Sequence, residues 1–254
     1  KAIARYAIPC IEKPGSRDNG ILRIKQLKDG KIIVSTYNNK NYILNPTTAT
    51  FTPYTAIDYA ISAYVIDHNG SEWFGLNKDG ITIDGKRYNT NDKQTNLPSN
   101  HIRDMAIDKQ GRVWVATWGG GLAYTTPKPG KAPLFKVILN NELNKSKVYS
   151  LSLSTSGNLY VATYNGLYII DTNKKDFSED NILNFNVENK QLPTDEITTI
   201  KAIGDDTLWM GTTGYGALKV TFNAEKKTIS YVTIDHSNGL PNDNIISIAK
   251  GDGN

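Results

Sequence analysis

Apolar and polar residues alternate along this chain in short bursts, and the bursts recur. Five share one pattern, a bulky residue, an apolar residue, a small residue and then usually Thr. They read Ile33-Val34-Ser35-Thr36, Trp73-Phe74-Gly75-Leu76, Trp114-Val115-Ala116-Thr117, Tyr160-Val161-Ala162-Thr163 and Trp209-Met210-Gly211-Thr212. Successive fourth positions lie 40, 41, 46 and 49 residues apart. Fifteen residues before each stands Ile21, Ile61, Ile102, Val148 or Ile197, opening an alternating stretch such as Ile102-x-x-Met105-x-Ile107. Period-two alternation in runs this short predicts strands.

The rest of the unit falls into register. Gly30, Gly70, Gly111 and Gly157, with Asp206 in the fifth copy, stand six residues before the fourth position and follow polar residues, which places a tight turn there. A third strand follows in Gly121-Leu122-Ala123-Tyr124, Gly166-Leu167-Tyr168-Ile169 and Gly216-Ala217-Leu218-Lys219-Val220, and a fourth is expected around Phe51, Tyr88, Phe135, Phe185 and Tyr231. Four short strands repeating at this interval make a β-propeller blade. The expected fold is all-β, with antiparallel blades at about 21–56, 57–95, 96–140, 141–190 and 191–235. Trp73, Trp114 and Trp209 share a face with the small residue two positions later, so they are expected buried against a neighbouring blade.

A sixth blade is expected to begin in residues 236–254. Gly239-Leu240-Pro241-Asn242-Asp243-Asn244-Ile245 repeats Asn96-Leu97-Pro98-Ser99-Asn100-His101-Ile102 and Gln191-Leu192-Pro193-Thr194-Asp195-Glu196-Ile197. Its first strand would be Ile245 to Ala249, and the residues before Ile21 hardly supply the remaining three. A one-strand blade leaves open edges, so the expectation is a fragment of a larger propeller.

Strand parity divides the side chains between two faces. Loops between second and third strands share one face with the Leu-Pro links, and the Asp-x-x-Gly turns occupy the other. On the shared face the residue after the repeat Thr is Tyr37, Trp118 or Tyr164, with Tyr215 nearby in the fifth copy. Trp118 is the one tryptophan outside the structural slot, and Gly119 and Gly120 after it can expose backbone groups. The candidate ligand-binding set is Tyr37, Trp118, Gly119, Gly120, Tyr164, Asn165, Tyr215, Asn100, His101 and Asp195, because aromatic rings stack on sugars while amides and carboxylates bind hydroxyls. The competing reading is that these rings pack on adjacent loops, a partner domain or a second copy in a homodimer.

Charge and sulfur change little. The formal charge of +4 across 254 residues is carried mostly by scattered Lys, whereas nucleic acid demands a concentrated basic face. Cys10 is the single cysteine, in an apolar stretch that suits a buried structural thiol. The segment around Arg5 and Pro9 lacks the apolar core of a leader, and Asp58 interrupts the best apolar run, Ala56 to Ile66. His68, His101 and His236 are scattered without metal-ligand spacing, so no metal or cofactor is expected. Asp195 and Glu196 would suit the acid and base of a glycosidase, yet such carboxylates more often cap turns. A protein-binding scaffold is the third reading.

The unit Leu-Pro-x-(Asn/Asp)-x-Ile, Asp-x-x-Gly, Trp-(Val/Met)-(Ala/Gly)-Thr and Gly-Leu resembles the two-component regulator propeller repeat. Asn96 to Tyr124 carries it best, with Gln191 to Thr221 and Gly239 onward in support. The resemblance implies the periplasmic sensor of a hybrid histidine-kinase regulator, common in gut Bacteroidetes, that detects polysaccharide breakdown products. It implies further signalling domains of the same chain: a Tyr-rich β-sandwich, a membrane helix, a kinase core and often a DNA-binding part. It brings no catalytic residues. Kinase motifs are missing from these 254 residues, so the expectation is a non-enzymatic, oligosaccharide-sensing piece that does not itself bind nucleic acid.

Overall fold

The computed structural model describes residues 20–140 and 142–251. Cys10 and the segment expected to contribute strands before Ile21 lie outside the described residues, apart from Gly20. Among the described residues, twenty strands form five four-stranded antiparallel sheets, each a simple meander. Blade 1 holds β1 (Ile21–Gln26), β2 (Ile32–Thr36), β3 (Asn41–Asn45) and β4 (Thr50–Pro53). Blade 2 holds β5 (Ile61–Ile66), β6 (Glu72–Leu76), β7 (Ile81–Ile83) and β8 (Lys86–Tyr88). Blade 3 comprises β9 (Ile102–Ile107), β10 (Val113–Thr117), β11 (Leu122–Thr125) and β12 (Lys136–Val137). Blade 4 comprises β13 (Val148–Leu153), β14 (Asn158–Thr163), β15 (Gly166–Asp171) and β16 (Ile182–Phe185). In blade 5 stand β17 (Ile197–Ala202), β18 (Thr207–Thr212), β19 (Ala217–Asn223) and β20 (Thr228–Ile234). Among the described residues, helix is confined to three-residue 3-10 turns such as Leu143–Lys145, and none is long and apolar enough to cross a membrane.

First strands β1, β5, β9, β13 and β17 pack on one another in succession and form the inner wall. In blades 2, 3 and 4 the bulky residue of the second strand reaches into the next blade. Trp73 shares a buried cluster with Met105 and Val115, Trp114 with Leu151, Tyr168 and Phe177, and Tyr160 with Ile200 and Met210. Burying each such side chain contributes roughly 1.5–3 kcal/mol. The small residue is needed because the next blade's first residue fills its place: a Cβ on Gly75 would lie 2.6 Å from Ile102 Cγ2.

Trp209 departs from expectation. Trp73 and Trp114 are buried, but Trp209 is half-buried. It lies on the side of blade 5 away from blade 4, beside Lys219 and, beyond it, Val232, which is 66% exposed. No described blade covers that side.

The expected strand Ile245 to Ala249 is likewise absent, although Ile245 docks as the repeat demands. Its N–H donates to Thr212 O at 3.0 Å, Thr198 Oγ1 donates to its carbonyl, and its Cγ2 would lie 2.7 Å from a Cβ on Gly211. Ser62 Oγ binds Ile102 O in the same way, at 2.6 Å. A strand also requires a hydrogen-bonded neighbour, and none lies beside residues 246–250 among the described residues.

The repeat Thr closes the loop between second and third strands. Thr117, Thr163 and Thr212 each donate Oγ1 to the carbonyl of Gly121, Gly166 or Gly216 at 2.8 Å. These glycines cannot carry a side chain. Gly166 has φ +91°, and a Cβ there would stand 2.2 Å from Phe185 O. Gly166→Ala is therefore expected to lower stability by about 1–3 kcal/mol, readable by urea denaturation. A change within error would mean that this loop is not held as described.

Candidate ligand-binding face

The upper face carries the loops between second and third strands and the links between blades. Residues bordering it are tied in pairs: Tyr37 N–H donates to Gly20 O, Asn77 to Ala60, Trp118 to His101, Tyr164 to Lys147 and Thr213 to Glu196, at 2.9–3.2 Å. Bridges pairing Asn77 with His101 and Trp118 with Lys147 lean each loop on the following link.

On blades 3 and 4 this arrangement gathers a row of rings. His101 stacks on Trp118 with centroids 5.7 Å apart, Trp118 meets Tyr149 edge-on at 5.2 Å, and Tyr149 lies 5.7 Å from Tyr164. Two cations sit over the row. Arg103 is 5.4 Å from the centroids of both Trp118 and Tyr149, and Lys147 is 4.9 Å from those of Trp118 and Tyr164. Each such contact contributes about 0.5–1 kcal/mol where exposed and about 2 where desolvated. Trp118, read from sequence as lying outside the packing, is half-buried and joins blade 3 to blade 4. Tyr164 remains 39% exposed.

Arg103 and Tyr149 owe their position to a bulge. In every first strand one extra residue interrupts the register opposite the end of the second strand, and such bulges re-aim side chains. The bulge residues are Leu22, Ser62, Arg103, Tyr149 and Thr198; Ser62 and Thr198 bond backbone carbonyls, whereas Arg103 and Tyr149 join the ring cluster. Arg103 Nε is buried with no hydrogen-bond partner, an arrangement that costs about 1–3 kcal/mol. Burial and the neighbouring Arg23, which donates to Arg103 O at 3.1 Å, hold the Arg103 guanidinium below its usual range. Burial, then Arg103 and Lys78, push the His101 imidazole down, favouring its neutral form. The Tyr149 hydroxyl is pushed up to about 12 by burial, then by Tyr164 and Glu196 against Arg103.

The other expected site residues are differently placed. Tyr37 (38% exposed) borders the face and acts electrostatically on Arg103. Tyr215, 49% exposed, makes no ring contact among the described residues. Gly119 faces open space, while a Cβ on Gly120 would press on Pro98 O at 2.8 Å. Asn165 N–H donates to Thr163 Oγ1. Asn100 and Asp195 close their links: Asn100 Oδ1 accepts from Thr90 N–H and Asp195 Oδ1 from Val187 N–H, both at 2.7 Å. Asp243 does the same for His236 N–H, which explains the Asn/Asp of the Leu-Pro unit. Arg103, Tyr149 and Lys147 were not singled out from sequence. The odd step Ile102-x-x-Met105 was the available sign of a bulge there.

Away from this face lie two adjoining clefts that share Asn158 and Phe222, one of about 130 Å³ lined also by Asp171, Lys174 and Asp180, the other of about 370 Å³ lined also by Ser156, Asp205 and Asp206. Neither gathers aromatic rings as the upper face does, and their polar groups are engaged: Lys174 Nζ donates to Asn181 Oδ1 at 2.8 Å and Ser156 Oγ to Asp205 O at 3.1 Å. The described residues contain no group of three His, Cys, Asp or Glu able to hold a metal.

Comparison with known proteins agrees with this architecture. Residues 96–119 match the family model described as two component regulator propeller. The extracellular domain assigned to a hybrid two-component system of B. thetaiotaomicron is similar, with TM-score 0.53 and 18% identity, over 86% of this chain and 35% of that one. PorZ, a surface component of the type-IX secretion system of Porphyromonas gingivalis, matches with TM-score 0.59 and 19% identity, over 92% of this chain and 42% of its own. Virginiamycin B lyase from Staphylococcus aureus gives 0.59 and 18%, over 89% of this chain and 73% of its own. This chain thus spans less than half of the first two. No curated protein sequence matches it. The chain is a β-propeller that carries the two-component regulator propeller repeat.

Proposed function

We propose that this chain is the ligand-sensing propeller of a periplasmic signalling receptor, and that it recognises an oligosaccharide on its upper face without transforming it. The observation that carries the reading is the row His101, Trp118, Tyr149 and Tyr164, partly exposed in a chain with this repeat. Amphipathic rings beside hydrogen-bond donors suit sugar rings and their hydroxyls. The similar extracellular domain from B. thetaiotaomicron supports linkage to signalling domains of the same protein. The likeness to a lyase weighs little here, since one fold hosts many chemistries.

Calorimetry against a panel of oligosaccharides tests the reading. Tyr164→Ala is expected to weaken binding by about 1–3 kcal/mol. Trp118→Ala should do the same while also lowering stability by roughly 1 kcal/mol through its lost cation contacts. Binding without turnover supports a sensor, whereas cleavage products accumulating over time overturn it in favour of an enzyme. A protein partner with no glycan response would make the propeller a scaffold.

A further inference from the structure

Arg103 and Lys147 of the upper face have rings beside them and, among the described residues, no ion-pair partner. Among the described residues the ion pairs are Lys31–Asp29, Arg87 with Asp58 and Asp79, Arg112–Asp108 and His236–Asp243, all away from Arg103 and Lys147. The adjacent carboxylate, Asp104, is already engaged: Oδ2 accepts from Ser150 Oγ at 3.1 Å and Leu151 N–H at 2.9 Å, and Oδ1 from Met105 N–H at 3.0 Å. Glu196 faces the cluster from blade 5, where it acts on Tyr149. Arg23 adds a further positive charge beside Arg103.

We propose that Arg103 and Lys147 form an anion seat, and that the ligand of this face is an acidic sugar whose carboxylate or sulfate lies between them. The proposal rests on the sugar-sensing reading above and narrows it. Trp118 and Tyr149 touch the guanidinium through their rings and offer it no carboxylate, so its N–H donors stay available for an oxygen ligand. A guanidinium fork matches the paired oxygens of a carboxylate or sulfate, and Lys147 supplies a second, mobile charge 4.9 Å from the Trp118 and Tyr164 rings. Asp104 and Glu196 lie near but form no ion pair with Arg103 or Lys147, and with Arg23 alongside the cations outnumber them, so the gathered positive charge favours an arriving anion. The rings beside it then meet the apolar face of the sugar.

Isothermal titration of the 254-residue chain with digalacturonate, a 6-sulfated disaccharide, neutral cellobiose and inorganic sulfate tests this. The acidic disaccharides should bind, cellobiose much more weakly, and affinity should fall several-fold from low to high salt. Whichever acidic probe binds more tightly identifies the source of the charge. Arg103→Gln and Lys147→Gln should each weaken that probe about 10- to 100-fold, with Lys226→Gln, on the blade 5 turn, as the silent control. Should Arg103→Gln fail to fold, Lys147→Gln decides alone. Cellobiose binding as tightly as the acidic probes, indifferent to both variants and to salt, overturns the anion seat and leaves the sugar sensor standing. Binding of inorganic sulfate equal to that of either disaccharide keeps the seat and overturns the sugar. Binding of none of the four probes overturns both.

Discussion

Trp114→Ala lowers the unfolding free energy by about 3–5 kcal/mol, the range for truncating a buried indole. The side chain is fully buried between blades 3 and 4. Its ring lies 5.1 Å from Phe177 edge-on and 4.9 Å from Tyr124, and Nε1–H donates to Asp108 Oδ2 at 2.7 Å. Removing it opens a cavity that strands cannot collapse into, because the blades on both sides are held by their own ladders. Trp209 is the internal control. It occupies the same position of its blade but is half-buried, with Ile203 where the other two tryptophans have an Asp acceptor. Trp209→Ala should therefore cost clearly less, on the order of 1–2 kcal/mol. Urea denaturation of both variants decides, and equal losses would mean that the inter-blade slot is not what holds Trp114.

The contrast between these two tryptophans marks how far the sequence could be read. The repeat placed every first-strand residue, from Ile21 to Ile197, at the head of a strand, and every fourth position at the end of one. Those positions were legible because alternation, turn glycines and small residues each answer to local geometry. Burial of Trp209 was not, since it depends on a neighbour on the far side of blade 5. The candidate site was half legible. Trp118, Tyr164 and His101 do converge, because strand parity fixes which loops share a face. Asn100 and Asp195 look like ligand contacts in sequence, yet their side chains cap backbone N–H groups ten and eight residues upstream. Arg103 and Tyr149 were hidden by the bulge, which turns a residue that parity would assign to the wall toward the upper face.

Asp108→Asn is expected to cost about 3–5 kcal/mol, the penalty for leaving a buried charge without its partner. Asp108 is buried at the turn between β9 and β10, and its carboxylate accepts four hydrogen bonds. Oδ1 takes the N–H groups of Gln110 at 3.0 Å and Arg112 at 2.9 Å; Oδ2 takes Trp114 Nε1–H and Arg112 Nε–H, the latter at 2.5 Å. An amide of the same shape keeps the first two and turns its own N–H groups toward the second two, so donor meets donor and the guanidinium loses its counter-charge. Arg112 in turn lies 4.9 Å from the Phe177 ring and donates to Thr172 O and Lys174 O, so losing its anchor loosens blade 3 from blade 4. Asp67 separates the two contributions. It accepts Asn69 N–H, Ser71 N–H and Trp73 Nε1–H, at 2.8, 3.0 and 3.0 Å, with no arginine. Asp67→Asn loses one acceptor and no ion pair, and is expected to cost about 1–3 kcal/mol. Because the Asp108 pair is screened from solvent, its loss should change little with added salt. If Asp108→Asn unfolds within error of Asp67→Asn in urea, the arginine contributes nothing to holding the turn, and the account of how blades 3 and 4 are fastened fails with it.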